Sequence, residues 1–219
     1  MIQQSTFDFL SRLSTNKHRD WINENKTSYE KARDDFSSSV SALIYKIELF
    51  DHHLADLTAA ECVVRICRDV RFSKNKEPNK TNFGAYLCFG GRKSNYTGYF
   101  INIVPDECFI DSGMYKPETP VLFKIRQEIN YNPNQHQEII YNQDFIKTFG
   151  EIEGERLATA PKGYPKHHPE IEPLKFKDFF VMHNFEDGIF LQENALDYYI
   201  QIFKKTYPLT DFFNENFIR

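Results

Sequence analysis

Cysteine is scarce in this chain, and what there is does not cluster. Four cysteines in 219 residues, Cys62, Cys67, Cys88 and Cys108, include no C-x-x-C pair. Buried reduced thiols are therefore expected rather than a disulfide framework. Zinc usually draws its ligands from tight Cys or His pairs, so no metal is expected either. Long apolar runs are also missing. No stretch approaches the ~20 apolar residues that a membrane-crossing helix needs, and no membrane association is expected. The first residues, "MIQQSTFDFLSRL", lack the basic, apolar, small-residue order of a secretion signal, so a cytoplasmic location is expected. Net positive charge is absent too: the formal charge is -4. That excludes coating of nucleic acid by net charge, although a local basic patch still acts within a Debye length of ~8 to 10 Å. With no repeat, linker or low-complexity tract, one domain over residues 1–219 is expected.

Aromatic residues are plentiful. They make up 16% of the chain and include 21 Phe, within a hydrophobic fraction of 41%. That much apolar surface can offset the entropy lost on ordering, so the chain folds. "STFDFLSRL" opens with hydroxyl residues and sets Phe7, Leu10 and Leu13 at helical spacing, which predicts a short first helix. Residues 18–50 place Trp21, Tyr29, Phe36, Val40, Leu43, Ile44 and Ile47 near one face without Pro or Gly. They read as a long amphipathic helix, irregular around "NENK". The pattern then changes. "CVVRIC", "FGAYLCF", "GYFINIV" and "CFIDSGMY" are short runs of β-branched and aromatic residues joined by connections too short for parallel crossovers, which predicts an antiparallel sheet. "PETPVLFKIRQEIN" and "QHQEIIYNQDFIKTF" read as helices. Residues 150–173 hold four prolines and read as loop, "KDFFVMHNF" as an edge strand, and "NALDYYIQIFKKTYPLTDFF" as one or two closing helices. The order predicts an α+β domain: a central, mainly antiparallel sheet packed by a long N-terminal helix and by C-terminal helices.

One segment departs from the overall acidity. "RICRDVRFSKNKEPNK", residues 65–80, carries Arg65, Arg68, Arg71, Lys74, Lys76 and Lys80 against Asp69 and Glu77. Its charge of +4 leaves -8 for the rest of the chain. Gathered cations repel one another unless carboxylates or a bound anion answer them. Arginine's planar fork suits phosphate or carboxylate, and lysine adds a mobile point charge. Asp69, flanked by arginines, is expected to stay ionised, orienting an arginine or accepting a hydroxyl, and is the one candidate here for a catalytic role. The alternative is a structural brace, in which the arginines pair with carboxylates of the long helix and the lysines are solvated.

The same residues resemble a known signature. Arg65, Arg68, Asp69, Arg71, Phe72, Asn75 and Lys76 fit R-x-x-R-D-x-R-F-x-x-[DN]-K-x-x-Y of the bacterial family called domain of unknown function 2461, which also occurs within longer fungal proteins. The final Tyr of that signature is Asn79 here. "NKHRDWINENKTSYEKAR", "TNFGAYLCFGGRK" and "APKGYPKHHPEIEPLKFKDF" are similar to other stretches of the family. The resemblance implies a bacterial type of protein and marks the segment without implying a reaction.

Other motifs add little. Lys162 in "APKGYP" sits beside a glycine that lets backbone approach a ligand, and it joins the candidate anion-binding set. His52, His53, His167 and His168 lack H-E-x-x-H spacing, "GGRKS" lacks the spacing of a phosphate loop, and no G-x-S-x-G elbow occurs. No cofactor is expected. Tyr86, Tyr96, Tyr99 and Phe100 near cations supply the parts of a stacking groove, so a single-stranded nucleic-acid module is the alternative of a different class. The leading expectation is an anionic, possibly phosphorylated, small molecule held by Arg65, Arg68, Arg71, Lys74, Lys76 and Lys162.

Overall fold

A computed structural model describes residues 2–16, 18–66 and 80–218. Helix α1, Gln4–Thr15, buries Phe7, Leu10 and Leu13, the positions its spacing predicts, and Phe9 with them. The long amphipathic stretch is two helices, α2 (Arg19–Glu24) and α3 (Lys26–Glu48). They break at Asn25, whose side chain turns back to the Trp21 carbonyl at 2.9 Å. Competition of an Asn amide with the backbone is a local physical cause for the irregularity expected at "NENK". Along α3, Phe36, Val40, Leu43, Ile44 and Ile47 are buried. Each such side chain contributes roughly 1.5–3 kcal/mol, so this face outweighs any single cap. A short α4, Ala59–Cys62, carries a reciprocal capping box between Thr58 and Glu61.

Four strands follow the expected runs: β1 (Phe83–Leu87), β2 (Gly98–Ile103), β3 (Phe109–Met114) and β4 (Phe179–Asn184). They form one antiparallel sheet in the order β1-β2-β3-β4, with β4 at an edge. "CVVRIC" differs from expectation. Its described residues make only an isolated bridge, Val63 to Ala85, extended by the Val64 N–H to Gly84 carbonyl bond of 2.8 Å. Between β3 and β4 lie α5 (Thr119–Tyr131), α6 (Pro133–Ile140), α7 (Gln143–Phe149) and the short α8 (Ile171–Leu174). The stretch "QHQEIIYNQDFIKTF" is thus split, because Asn142 caps α7 by accepting the N–H groups of Asp144 and Phe145 at 2.9 and 3.2 Å. The C-terminal segment is one helix, α9 (Ala195–Ile218), running through Pro208.

Residues alternate between two faces of the sheet. Phe83, Ala85, Leu87, Tyr99, Ile101, Ile103, Ile110, Ser112, Phe179 and Val181 are buried on one face, and α3 packs on β1 and α9 on β3. Two polar ties fix this layer. The Tyr99 hydroxyl donates to the buried Asp51 carboxylate at 2.9 Å, and Ser112 and Thr206 share a hydroxyl contact of 2.7 Å. The architecture is α+β, with helices packed against an antiparallel sheet. No described helix is long and apolar enough to cross a membrane.

Candidate functional site

The second face of the sheet carries three cross-strand rows. Gly98, Gly113 and Phe180 form one; Tyr86, Phe100, Asp111 and Met182 the next; Gly84, Asn102, Phe109 and Asn184 the third. Three of these positions are glycine, and two need to be. A Cβ on Gly98 would sit 2.2 Å from the Leu87 carbonyl, and one on Gly113, at φ 127°, 2.1 Å from that of Phe179. At Gly98 and Gly113 neighbouring backbone takes the space of a side chain, and at Gly84 the Phe100 ring takes it, so the face is closely packed between Phe100, Phe109, Phe180 and Met182.

Asp111 stands in the middle of this face. Its neighbours across the strands are Phe100 and Met182, it is half-buried, and no described residue hydrogen-bonds it. Burial pushes its carboxyl up to about 7, and the nearby Glu153 carboxylate pushes in the same direction. Glu153 arrives from the loop after α7, which pairs with Phe180 beside β4. Near neutral pH, Asp111 therefore spends part of its time as a hydrogen-bond donor. A partly desolvated carboxyl with a perturbed pKa on an open face is the type of group expected at a functional site. On the same row Tyr86 keeps its proton, its phenol pushed well above the usual range by burial. Its hydroxyl lies 2.8 Å from the Gly113 carbonyl and 3.0 Å from that of Tyr96.

The basic segment is anchored at the edge of this face. Val64 pairs with Gly84, and the Lys80 N–H donates to the Ile66 carbonyl at 2.8 Å, with Ile66 buried. Ile66 and Lys80 therefore lie together beside β1. Next to it the Asn82 amide donates to the Asn102 side-chain oxygen at 2.5 Å, joining the segment's exit to the third row. Arg65, at this neck, is exposed. Arg68, Asp69, Arg71, Lys74 and Lys76 lie outside the described residues, as does Asn79.

Lys162 is also exposed, but its chain segment follows from Glu153 and Arg156, which flank β4 and Phe176. Arg65 flanks β1 at the opposite edge of the sheet. Nothing described brings Arg65 and Lys162 together.

The aromatic set divides. Tyr86 and Phe100 share the open face, whereas Tyr99 is fully buried on the other and bonded to Asp51. Tyr86, Tyr96, Tyr99 and Phe100 do not make one exposed strip. His167 is exposed, while His168 accepts the Glu170 N–H at 3.1 Å and contacts the Asn130 side chain at 2.8 Å. Cys62, Cys88 and Cys108 are buried free thiols, and burial pushes Cys62 and Cys88 up to about 12 and 11. Asp111 went unnoticed in sequence. Its signal was a lone acid at an inner position of the alternating run "CFIDSGMY".

Residues 5–212 match the model of a family described as Conserved hypothetical protein (DUF2461). The chain belongs to this family. The DUF2461 match runs from α1 into α9, so it takes in the whole sheet, Asp111 and both anchors of the basic segment. No curated protein and no solved structure matches the chain. Membership in DUF2461 names no reaction, and function rests on the site itself.

Proposed function

We propose that the protein binds an anionic small molecule, phosphorylated or carboxylated, between the cations of residues 65–80 and the open face of the sheet. The observation that carries this reading is the anchoring of that segment. Both its ends are held at the β1 edge, beside a face whose central carboxyl, pushed up to about 7, is part-protonated near neutral pH. Arg65, Arg68 and Arg71 grip the anion by charge-assisted hydrogen bonds, Lys74 and Lys76 complete the field, and Asp69 orients an arginine. Asp111 in its protonated form donates to the anion where an ordinary aspartate would repel it. The exposure of Arg65 favours this over a buried brace at that position. Lys162, which no described contact sets beside Arg65, is given no part in the primary site.

Calorimetric titration with inorganic phosphate tests the proposal. Losing a charge-assisted hydrogen bond removes ~1.5–3 kcal/mol, so Arg68→Ala with Arg71→Ala is expected to weaken binding at least about tenfold. Thermal melting should be near normal. Equal binding by the double variant, or no binding by the wild type, overturns the reading. Retention of a single-stranded oligonucleotide with a steep salt dependence would point instead to the nucleic-acid alternative.

A further inference from the structure

At the β4 edge, away from the basic segment, α6, α7, α8 and the loop before β4 line a half-open cavity of about 340 Å3. Its walls include Ile140, Ile146, Ile152 and Phe176, and His136 of α6 forms part of them. His136 is only 1% exposed, and neither of its ring nitrogens has a hydrogen-bond partner. The ring packs between Phe212 and Phe213 of α9, with centroids 5.6 and 6.4 Å away. Buried polar groups are seldom left unpaired, and an orphan in an otherwise apolar wall is a candidate for pairing with something bound.

The charge around the cavity indicates what that something is. Arg156 lies over the Phe176 ring at 4.2 Å, and Glu151 and Glu172 share the wall. Lys175 pairs with Glu172 at 2.6 Å. With Lys175 answering Glu172 from outside the wall, Arg156 is left with Glu151, so the charges about the cavity sum to zero and favour no net charge in its occupant. Burial pushes the imidazole of His136 down to about 4, so at neutral pH it offers one N–H and one lone pair.

We infer that this cavity binds an uncharged, mostly apolar small molecule carrying one hydroxyl, a phenol being the simplest of the class, with the hydroxyl meeting His136. Both ring nitrogens are shut off from the cavity surface as the ring stands, so the proposed binding includes a turn of the imidazole about its Cβ–Cγ bond that brings one of them to the wall. The site is separate from the anion-binding face and stands or falls without it.

Phenol and toluene, which differ in the hydroxyl, are the probes. Titrated into the full chain, phenol is expected to bind about tenfold more tightly than toluene, the scale of pairing a buried orphan group. It should also shift the His136 ring nitrogens in a 15N spectrum. His136→Phe should reduce phenol to the affinity of toluene, and Ile152→Trp, which fills the cavity, should abolish binding of both with an unchanged circular dichroism spectrum. Should His136→Phe fail to fold, the wild-type 15N shift decides. Equal affinity for the two probes, binding of neither, or an unmoved His136 signal overturns the inference.

Discussion

Asp111→Asn is expected to stabilise the protein by about 2 kcal/mol at pH 8 and to leave it unchanged at pH 4. The native carboxyl titrates at about 7, against ~3.9 in an unfolded chain. Between those values the native state holds a proton that the unfolded state has lost. Stability from this group is therefore complete below about pH 3.9, falls as pH rises, and is gone above about 7. A shift of three units corresponds to about 4 kcal/mol, and partial exposure and screening reduce that to about 2. The asparagine keeps the shape without the charge. Urea denaturation of both proteins at pH 4 and pH 8 measures the difference. A destabilised variant at pH 8 would mean that a cation, from residues 65–80 or elsewhere, already answers Asp111. The expected gain is the mark of a group kept at a cost to stability, as functional groups often are.

Asn214→Leu is expected to cost about 3 kcal/mol. Asn214 on α9 holds both backbone groups of Thr97, the residue before β2. Its side-chain oxygen accepts the Thr97 N–H at 2.9 Å, and its amide donates to the Thr97 carbonyl at 3.1 Å. The two partners allow only this orientation of the amide. Thr97 and Asn214 are both buried, and the Thr97 hydroxyl also reaches the Thr210 carbonyl at 3.0 Å. Leucine matches asparagine in size but leaves a donor and an acceptor without partners, each worth roughly 1–3 kcal/mol when buried. Chemical denaturation at neutral pH reads the loss, and a change below about 1 kcal/mol would show that water or another group takes over.

Much of the fold was legible because the signals were local. Phe7, Leu10 and Leu13 spaced α1, the α3 stripe spaced its buried face, and the alternation in "FGAYLCF", "GYFINIV" and "CFIDSGMY" set three strands. What was missed depends on contacts distant in sequence. Asn142 reads equally as mid-helix or cap until α6 and α7 are seen to turn at it. Pro208 leaves one or two closing helices open in the sequence, and the structure has one, α9 continuing past it with Thr97 bonded to Thr210 and Asn214. The site divides the same way. The basic run and its neck follow from chain order. The opposite edges taken by Arg65 and by the loop of Glu153 and Arg156 are a property of strand order, and the lack of a hydrogen-bond partner for Asp111 and His136 among the described residues is a property of what packs around them.

The anion site is tested most directly by diffraction from crystals grown without sulfate or phosphate and then soaked in tungstate, a heavy analogue of both. An anomalous peak is expected at the β1 edge, within hydrogen-bonding distance of at least two of Arg65, Arg68 and Arg71 and facing the row that holds Asp111. Guanidinium groups paired with carboxylates of the protein, with no peak among them, would contradict it.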